Sequence, residues 1–302
     1  MKTQSLLFVF FLISTVLFSQ NDEIDSYKTA RISDVNFQVA YFTEEKTSGN
    51  IQDFILLAPN SDLLKIDFSD YNKIMRTYLS EQTCFSINLG LQFVDKSKLN
   101  YRKNPNLRLG LTYFSGTNSR QAYSKKDYTT IDSLYFLNTD YVGVVDSINY
   151  KTIDLKHYSE QLHLDFAVLF RTKPEARWSL YTGLGLSAGI SVNTKVEISF
   201  SESTSVQASS LQLGFMHLNP ETYLDSMPIN QDEIHKTKLF FAISGYIPLG
   251  IDFRIGKKRD FWKHTHLFYE LRPSLNYSFS PEIGRVNKTY MLSLFGIKVE
   301  PF

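Results

Sequence analysis

The chain has a single cysteine, Cys84, among 302 residues, so no disulfide can form within it, and an exported chain must find its stability elsewhere. Charge of one sign is missing too: 32 Lys and Arg stand against 31 Asp and Glu, a formal net charge of +1. That balance removes the basic excess with which proteins grip nucleic acid, so no nucleic-acid partner is expected. The apolar run from Leu6 to Phe18 is shorter than the roughly 20 residues a helix needs to cross a bilayer. No cluster of catalytic, metal-ligating or cofactor-binding residues stands out, so neither a cofactor nor an enzyme activity is expected.

What is present begins with that short run. Lys2 precedes it and the polar Ser19, Gln20 and Asn21 follow at once, the layout of a secretory signal peptide over residues 1–20. No cysteine lies near its end, which excludes a lipoprotein signal. Aromatics are abundant, with 18 Tyr and 24 Phe, while the mean hydropathy of −0.20 excludes a bundle of apolar membrane helices.

Apolar and polar residues alternate over long stretches, which means strands with two unlike faces. The clearest run is Leu239, Phe241, Ile243, Gly245, Ile247, Leu249, Ile251, Phe253 and Ile255, about three times as long as the roughly 5 to 6 residues usual for a strand in a soluble sandwich. Leu267 to Phe279 repeats the pattern, with Glu270, Arg272 and Asn276 on the second face. Trp178 to Val192 alternates with a face of Gly and Ser, as a narrow barrel interior requires. Leu162 to Phe170, Val35 to Tyr41, Phe85 to Phe93, Leu107 to Tyr113 and a less regular stretch from Thr289 to Phe302 complete eight segments.

Eight is an even number, as a closed single-chain antiparallel barrel requires. The links alternate in length: Glu44 to Gln82, Ser115 to Thr152 and Ser201 to Lys236 are long, whereas those around Lys98, Pro174 and Lys258 are short, with a short last outer link near Pro281 to Val286. The predicted fold is therefore all-β: an eight-stranded antiparallel up-and-down transmembrane β-barrel with long outer loops. It occupies residues 35–302, after an N-terminal periplasmic segment at 21–34. Trp178 and Trp262 fall at short turns, where an aromatic belt meets headgroups, and Lys96, Lys98, Arg102 and Lys103 make one such turn basic. Alternation by itself does not say which face is inside, and a soluble lipocalin-like carrier has the inverse arrangement.

If the polar face is inward, Arg108, Asp165, Arg171, Asp252, Arg254, Glu270 and Arg272 share the lumen with Lys298 and Glu300. Opposite charges in so narrow a space must pair, giving a structural network and no wide channel. Pro248 and Pro273 interrupt the two best strands and predict a shared bulge. In the first outer loop, Leu64, Phe68, Tyr71, Met75 and Tyr78 recur at helical spacing after a capping Ser61. Tyr123 to Tyr135 and Val142 to Leu155 read as a ribbon continuing strands three and four, with Val196, Ile198 and Phe200 extending strand five. Such protruding edges offer a protein partner a strand to pair with.

Other signals are weaker. Neither the His264-x-His266 pair nor Asp232, Glu233 and His235 has the further ligands a metal needs. The His and Ser pattern by which lipid A deacylases work has no local counterpart. Asp132-Ser133-Leu134, Asp146-Ser147-Ile148 and Asp225-Ser226-Met227 resemble a bacterial O-glycosylation signal.

Taken together, the leader, the eight alternating segments and the terminal Phe302 resemble the outer-membrane β-barrel domain families, both the PorT-like group and the small OmpA/OmpX-type barrels. The resemblance implies residence in the outer membrane of a Gram-negative cell, with outer-membrane lipids and the barrel-assembly machinery as partners. The function expected is non-enzymatic: binding a protein partner, or stabilising the envelope, through the outer loops. An accessory role in a secretion or transport complex is the alternative, followed by a lipid-modifying enzyme.

Overall fold

Long alternating segments become long strands. The structure, a computed structural model, describes residues 28–43, 49–74, 82–95, 106–135, 142–172, 176–208, 212–213, 216–217, 222–223, 227–256 and 260–301. The leader, the turn carrying Lys96 to Lys103, Pro174 and Phe302 lie outside them. In chain order the strands are β1 (Lys28–Thr43), β2 (Asn72–Ile74), β3 (Thr83–Asp95), β4 (Asn106–Tyr135), β5 (Val142–Arg171) and β6 (Trp178–Ala208). Three two-residue strands follow, β7 (Gln212–Leu213), β8 (Met216–His217) and β9 (Thr222–Tyr223). The last are β10 (Ile229–Lys236), β11 (Phe241–Tyr246), β12 (Leu249–Arg254), β13 (Thr265–Ser280) and β14 (Gly284–Val299). Two short helices, α1 (Ile51–Leu57) and α2 (Asp260–Lys263), complete the described elements.

Antiparallel pairing runs β1 to β3, β4, β5 and β6, then to the β11–β12 segment, β13, β14 and back to β1. The chain thus closes a ring of eight strands. Apolar side chains point out: Leu164, Leu184 and Leu275 are each more than two-thirds exposed, while Gln38, Asn88, Thr112 and Ser244 on the other face are buried. The ambiguity left by alternation is resolved in favour of a polar interior. Close approach across that interior depends on glycine. The Tyr181 ring lies over Gly250 and the Tyr246 ring over Gly185, and a Cβ at either glycine would meet the ring at 2.0 or 2.2 Å.

β1 begins at Lys28 rather than Val35, because a bulge at Ser33 breaks the alternation without ending the pairing to β3. The second and third outer links are largely strand. β4 and β5 stay paired to Tyr135↔Val142, β6 follows β5 to Ala208, β10 pairs with β6 and β2 with β4. The predicted ribbon is therefore part of an upper sheet. Two bulges mark its base, with Asn118 as the extra residue in β4 and Val192 in β6. One extra residue reverses the faces of everything beyond it. Val192 still points out, half-exposed, but Val196 and Ile198 turn in and are fully buried.

The predicted helix after Ser61 is absent. Residues 61–71 form turns, in which the Ser69 amide and hydroxyl both donate to Asp67, a local bond that competes with the helical ladder. The helix lies upstream instead, where Asn50 and Asp53 form a capping box on α1. Phe54, Leu57 and Leu64 pack with Tyr123, Ile153, Leu155, Val196 and Ile198 into one apolar core, with Phe68 and Tyr71 against it. Met75 and Tyr78 lie outside the described residues.

The proline bulge is also corrected. Pairing reads Tyr246↔Ser274 and then Leu249↔Leu271, so two residues face two and no extra residue is inserted. The β11–β12 strand breaks its ladder where Pro248 lacks an N–H. The Ile247 amide still donates to the Pro273 carbonyl at 3.1 Å.

Candidate functional site

Charged residues on the inner face of the ring meet in several groups. Glu270, fully buried on β13, accepts two bonds from Arg108 at 2.7 and 3.0 Å. It also accepts from Arg272 Nε at 2.9 Å and from the Tyr181 hydroxyl at 2.8 Å. Arg272 reaches Asp165 at 3.9 Å, and Asp165 accepts from Thr112, which is bonded in turn to Ser86. Lower in the ring, Asp252 lies between Lys298 and His266, the imidazole at 2.6 Å. Arg171 meets Asp34 at 3.5 Å. Arg254 sits half-buried one inward position beyond Asp252, toward the same end.

Three members of this network escaped the sequence reading. Asp34 falls just before the first alternating segment, and only its pairing across the Ser33 bulge brings it inside. Tyr181 stands on the Gly and Ser face of β6, and its hydroxyl binds the central carboxylate. His266 appeared as half of a His-x-His pair. In the structure its imidazole is committed to Asp252, while His264 belongs to the turn before β13. No group of three or more metal-ligating residues is found among the described residues.

Two arrangements look catalytic and fail on geometry. His163 Nδ1 is 3.0 Å from Ser187 Oγ, but its other nitrogen is 3.0 Å from the amide oxygen of Gln161, not from a carboxylate. Both residues are buried in the lumen. In the upper sheet, Glu233 lies between Ser61 (2.5 Å) and His235 (2.9 Å). A nucleophilic triad needs the imidazole, not the acid, against the serine. This contact is a clasp: it pins the 61–71 turns to β10, and Glu233 also accepts from the Leu63 amide at 3.3 Å. Burial alone would raise the Glu233 carboxyl, but the bonds from Ser61, His235 and the Leu63 amide hold it below the usual carboxylate value.

Between the charged lumen and α1 lies a vestibule of about 250 Å³. Gly49 and Asp53 border it from the start of α1, His157 and Ser159 from β5, Asn276 from β13 and Lys288 from β14. Lys288 Nζ donates to the Asn118 carbonyl at 2.8 Å. On the outer face, a broader groove of about 1120 Å³ runs past Gly245, Pro273 and Leu275. Asp132, Ser133, Asp146 and Ser147 lie on the two paired strands of the upper sheet. Ser226 is outside the described residues.

No described helix is long and apolar enough to cross a membrane. No family model and no curated protein matches the sequence. Solved structures that align along the chain include the high-pH structure of Pseudomonas putida OprB, at 7% identity over 89% of this chain and 94% of that one, with a TM-score of 0.13. Another is the outer membrane protein opdK from Pseudomonas aeruginosa, at 6% identity over 89% and 98%, with a TM-score of 0.09. Likeness that slight carries no argument about fold or role.

Proposed function

We propose that this chain is an outer-membrane β-barrel that spans the bilayer with its eight-stranded ring and presents the upper sheet with its α1 lid outside the cell. The observation that carries the reading is the polarity of the ring. A belt of exposed Leu, Ile, Phe and Val surrounds an interior of buried Arg, Glu, Asp and Lys. In water that belt costs free energy on every strand, whereas hydrocarbon solvates it and the closed ladder satisfies the backbone. The lower rim adds an aromatic girdle: the exposed Trp178 ring lies tilted 4.4 Å from that of Phe253, and exposed Phe261 and Trp262 belong to α2.

The role that follows is non-enzymatic. The lumen is filled by paired charges, so the barrel serves as an anchor, and the upper sheet carries the partner-binding or envelope-stabilising function. Its edges support that reading, because among the described residues β10 pairs with β6 alone and has exposed Ile229 and Ile234, and strand edges accept added strands.

Membrane fractionation with electrophoresis before and after boiling tests the placement. The expected result is recovery in the outer membrane with a heat-dependent mobility shift; a soluble, boiling-insensitive protein would overturn it. Leu164→Arg sharpens the test, because an arginine on the lipid face costs about 2–4 kcal/mol near the bilayer midplane. In a ring surrounded by water, the same change would be neutral.

A further inference from the structure

Among the described residues the upper sheet ends on one side at β10, which pairs with β6 alone. The strand keeps one register over its whole length, without a bulge or a proline. Glu233 holds it against the 61–71 turns through Ser61 and the Leu63 amide, so the edge is already shaped as a template. The Thr237 amide donates to the Thr194 carbonyl at 3.1 Å, and that bond sets the phase of the ladder. Odd-numbered residues bond to β6, while Asn230, Asp232, Ile234 and Lys236 turn their N–H and C=O groups away from it. All four side chains are exposed, on the face opposite Glu233.

The charges on this edge lack compensation. Lys236 stands opposite Lys195 on β6, and Asp232 opposite Ser199; neither Asp232 nor Lys236 makes an ion pair among the described residues. Like charges directly opposite are unfavourable, and the Glu197 carboxylate beside Ile234 is taken by Lys195 at 2.7 Å. Four residues apart on an extended strand, Asp232 and Lys236 are roughly 13 Å from each other, too far to pair. Ile234 lies between them, 65% exposed.

We propose that β10 takes up an extended segment of another protein as an antiparallel strand, and that this segment reads acidic-x-apolar-x-basic. In that direction the acid lies beside Lys236, the apolar residue beside Ile234 and the base beside Asp232. The inference rests on the partner-binding role given above to the upper sheet and specifies the chemistry of the partner. Main-chain bonds to the even-numbered residues supply affinity for any extended segment. The two charges keep the edge from pairing indiscriminately and reject a segment with the opposite charge order. A second copy in the same bilayer would present β10 in the same direction, with Asp232 beside Asp232 and Lys236 beside Lys236, so the added strand belongs to a different chain.

Fluorescence anisotropy on the full chain in detergent tests this, with two labelled peptides of identical composition, TTDTITKTT and TTKTITDTT. The first should bind at least about fivefold more tightly, the worth of two opposite-charge cross-strand pairs against two like-charge ones. Asp232→Lys combined with Lys236→Asp should reverse the preference, a result that neither misfolding nor general adhesion to peptides produces. Ile234→Pro removes one outward N–H while leaving the bonds to β6 in place, and should weaken binding of the first peptide at least about fivefold. Boiling-dependent mobility shows whether the ring of each variant is folded; should a variant misfold, the two peptides on the wild type still decide. Failure of the first peptide to bind, equal affinity for both peptides, a preference for the second, or a preference unmoved by the charge exchange would overturn the inference. So would a dimer in sedimentation that Ile234→Pro dissolves, since a second copy would then occupy the edge. Membrane placement is read separately: a soluble chain that prefers the first peptide keeps this inference without the bilayer, and a heat-modifiable chain that binds neither peptide keeps the bilayer without this inference.

Discussion

The same three strands, β4, β5 and β6, bury opposite chemistries at their two ends. Below the bulges at Asn118 and Val192, their inner face carries Arg108, Asp165 and Ser187 and their outer face Leu109, Leu164 and Leu186. Above them the inner face carries Tyr123, Leu155 and Ile198 against the α1 lid. The ring has the polarity suited to hydrocarbon outside, and the cap has that of a protein in water. One inserted residue per strand suffices for β4 and β6, because strand period is two and a single residue reverses the phase. β5 needs none, since its own sequence changes from His157 and Ser159 to Ile153 and Leu155 in the same phase.

If the two halves are held differently, they should break differently. The largest effect is expected from Glu270→Ala, which strands Arg108 and Arg272 in a buried site. Losing one partner of a buried ion network costs about 3–5 kcal/mol, readable as a lower urea midpoint of the whole protein. An unchanged midpoint would mean that the ladder alone holds the ring. Next is Phe54→Ala, which empties the centre of the cap core at a cost of about 3 kcal/mol. Protease should then cut within residues 49–74, while the ring keeps its boiling-dependent mobility; simultaneous loss of both would show one cooperative unit.

The smallest effect concerns the clasp. Glu233 has a folded pKa below its unfolded one, so its contribution is complete above the unfolded value and is lost as pH falls through the folded one. Amide exchange at Leu63 should therefore quicken in acid below the ordinary glutamate range. Glu233→Gln should remove about 1 kcal/mol at neutral pH and flatten that dependence. A profile identical in both proteins would assign the acid response elsewhere.

Much of the ring was legible because one rule, alternation, repeats on every strand. Segments such as Leu239 to Ile255 and Leu267 to Phe279 announce two faces over lengths that a sandwich seldom uses. The central charges followed as well, since Glu270 and Arg272 share a phase with Asn276. Asp34 did not, because a bulge hides its phase, and neither did His266, whose partner is 14 residues away on the neighbouring strand. Pro248 and Pro273 were visible as an irregularity whose form was misread: the ladder breaks but the register holds. The helix was misplaced because Leu64, Phe68 and Tyr71 keep helical spacing while meeting the sheet through turns.

By itself the sequence determined the period-two pattern, the number of long strands and the segregation of apolar from charged side chains, because those are properties of neighbours along the chain. Which face closes inward, where Asn118 and Val192 reverse it, and that Ser61 meets Glu233 172 residues away were decided only by the tertiary structure. Such relations depend on register between strands, and register is set jointly by every paired segment of a closed ladder.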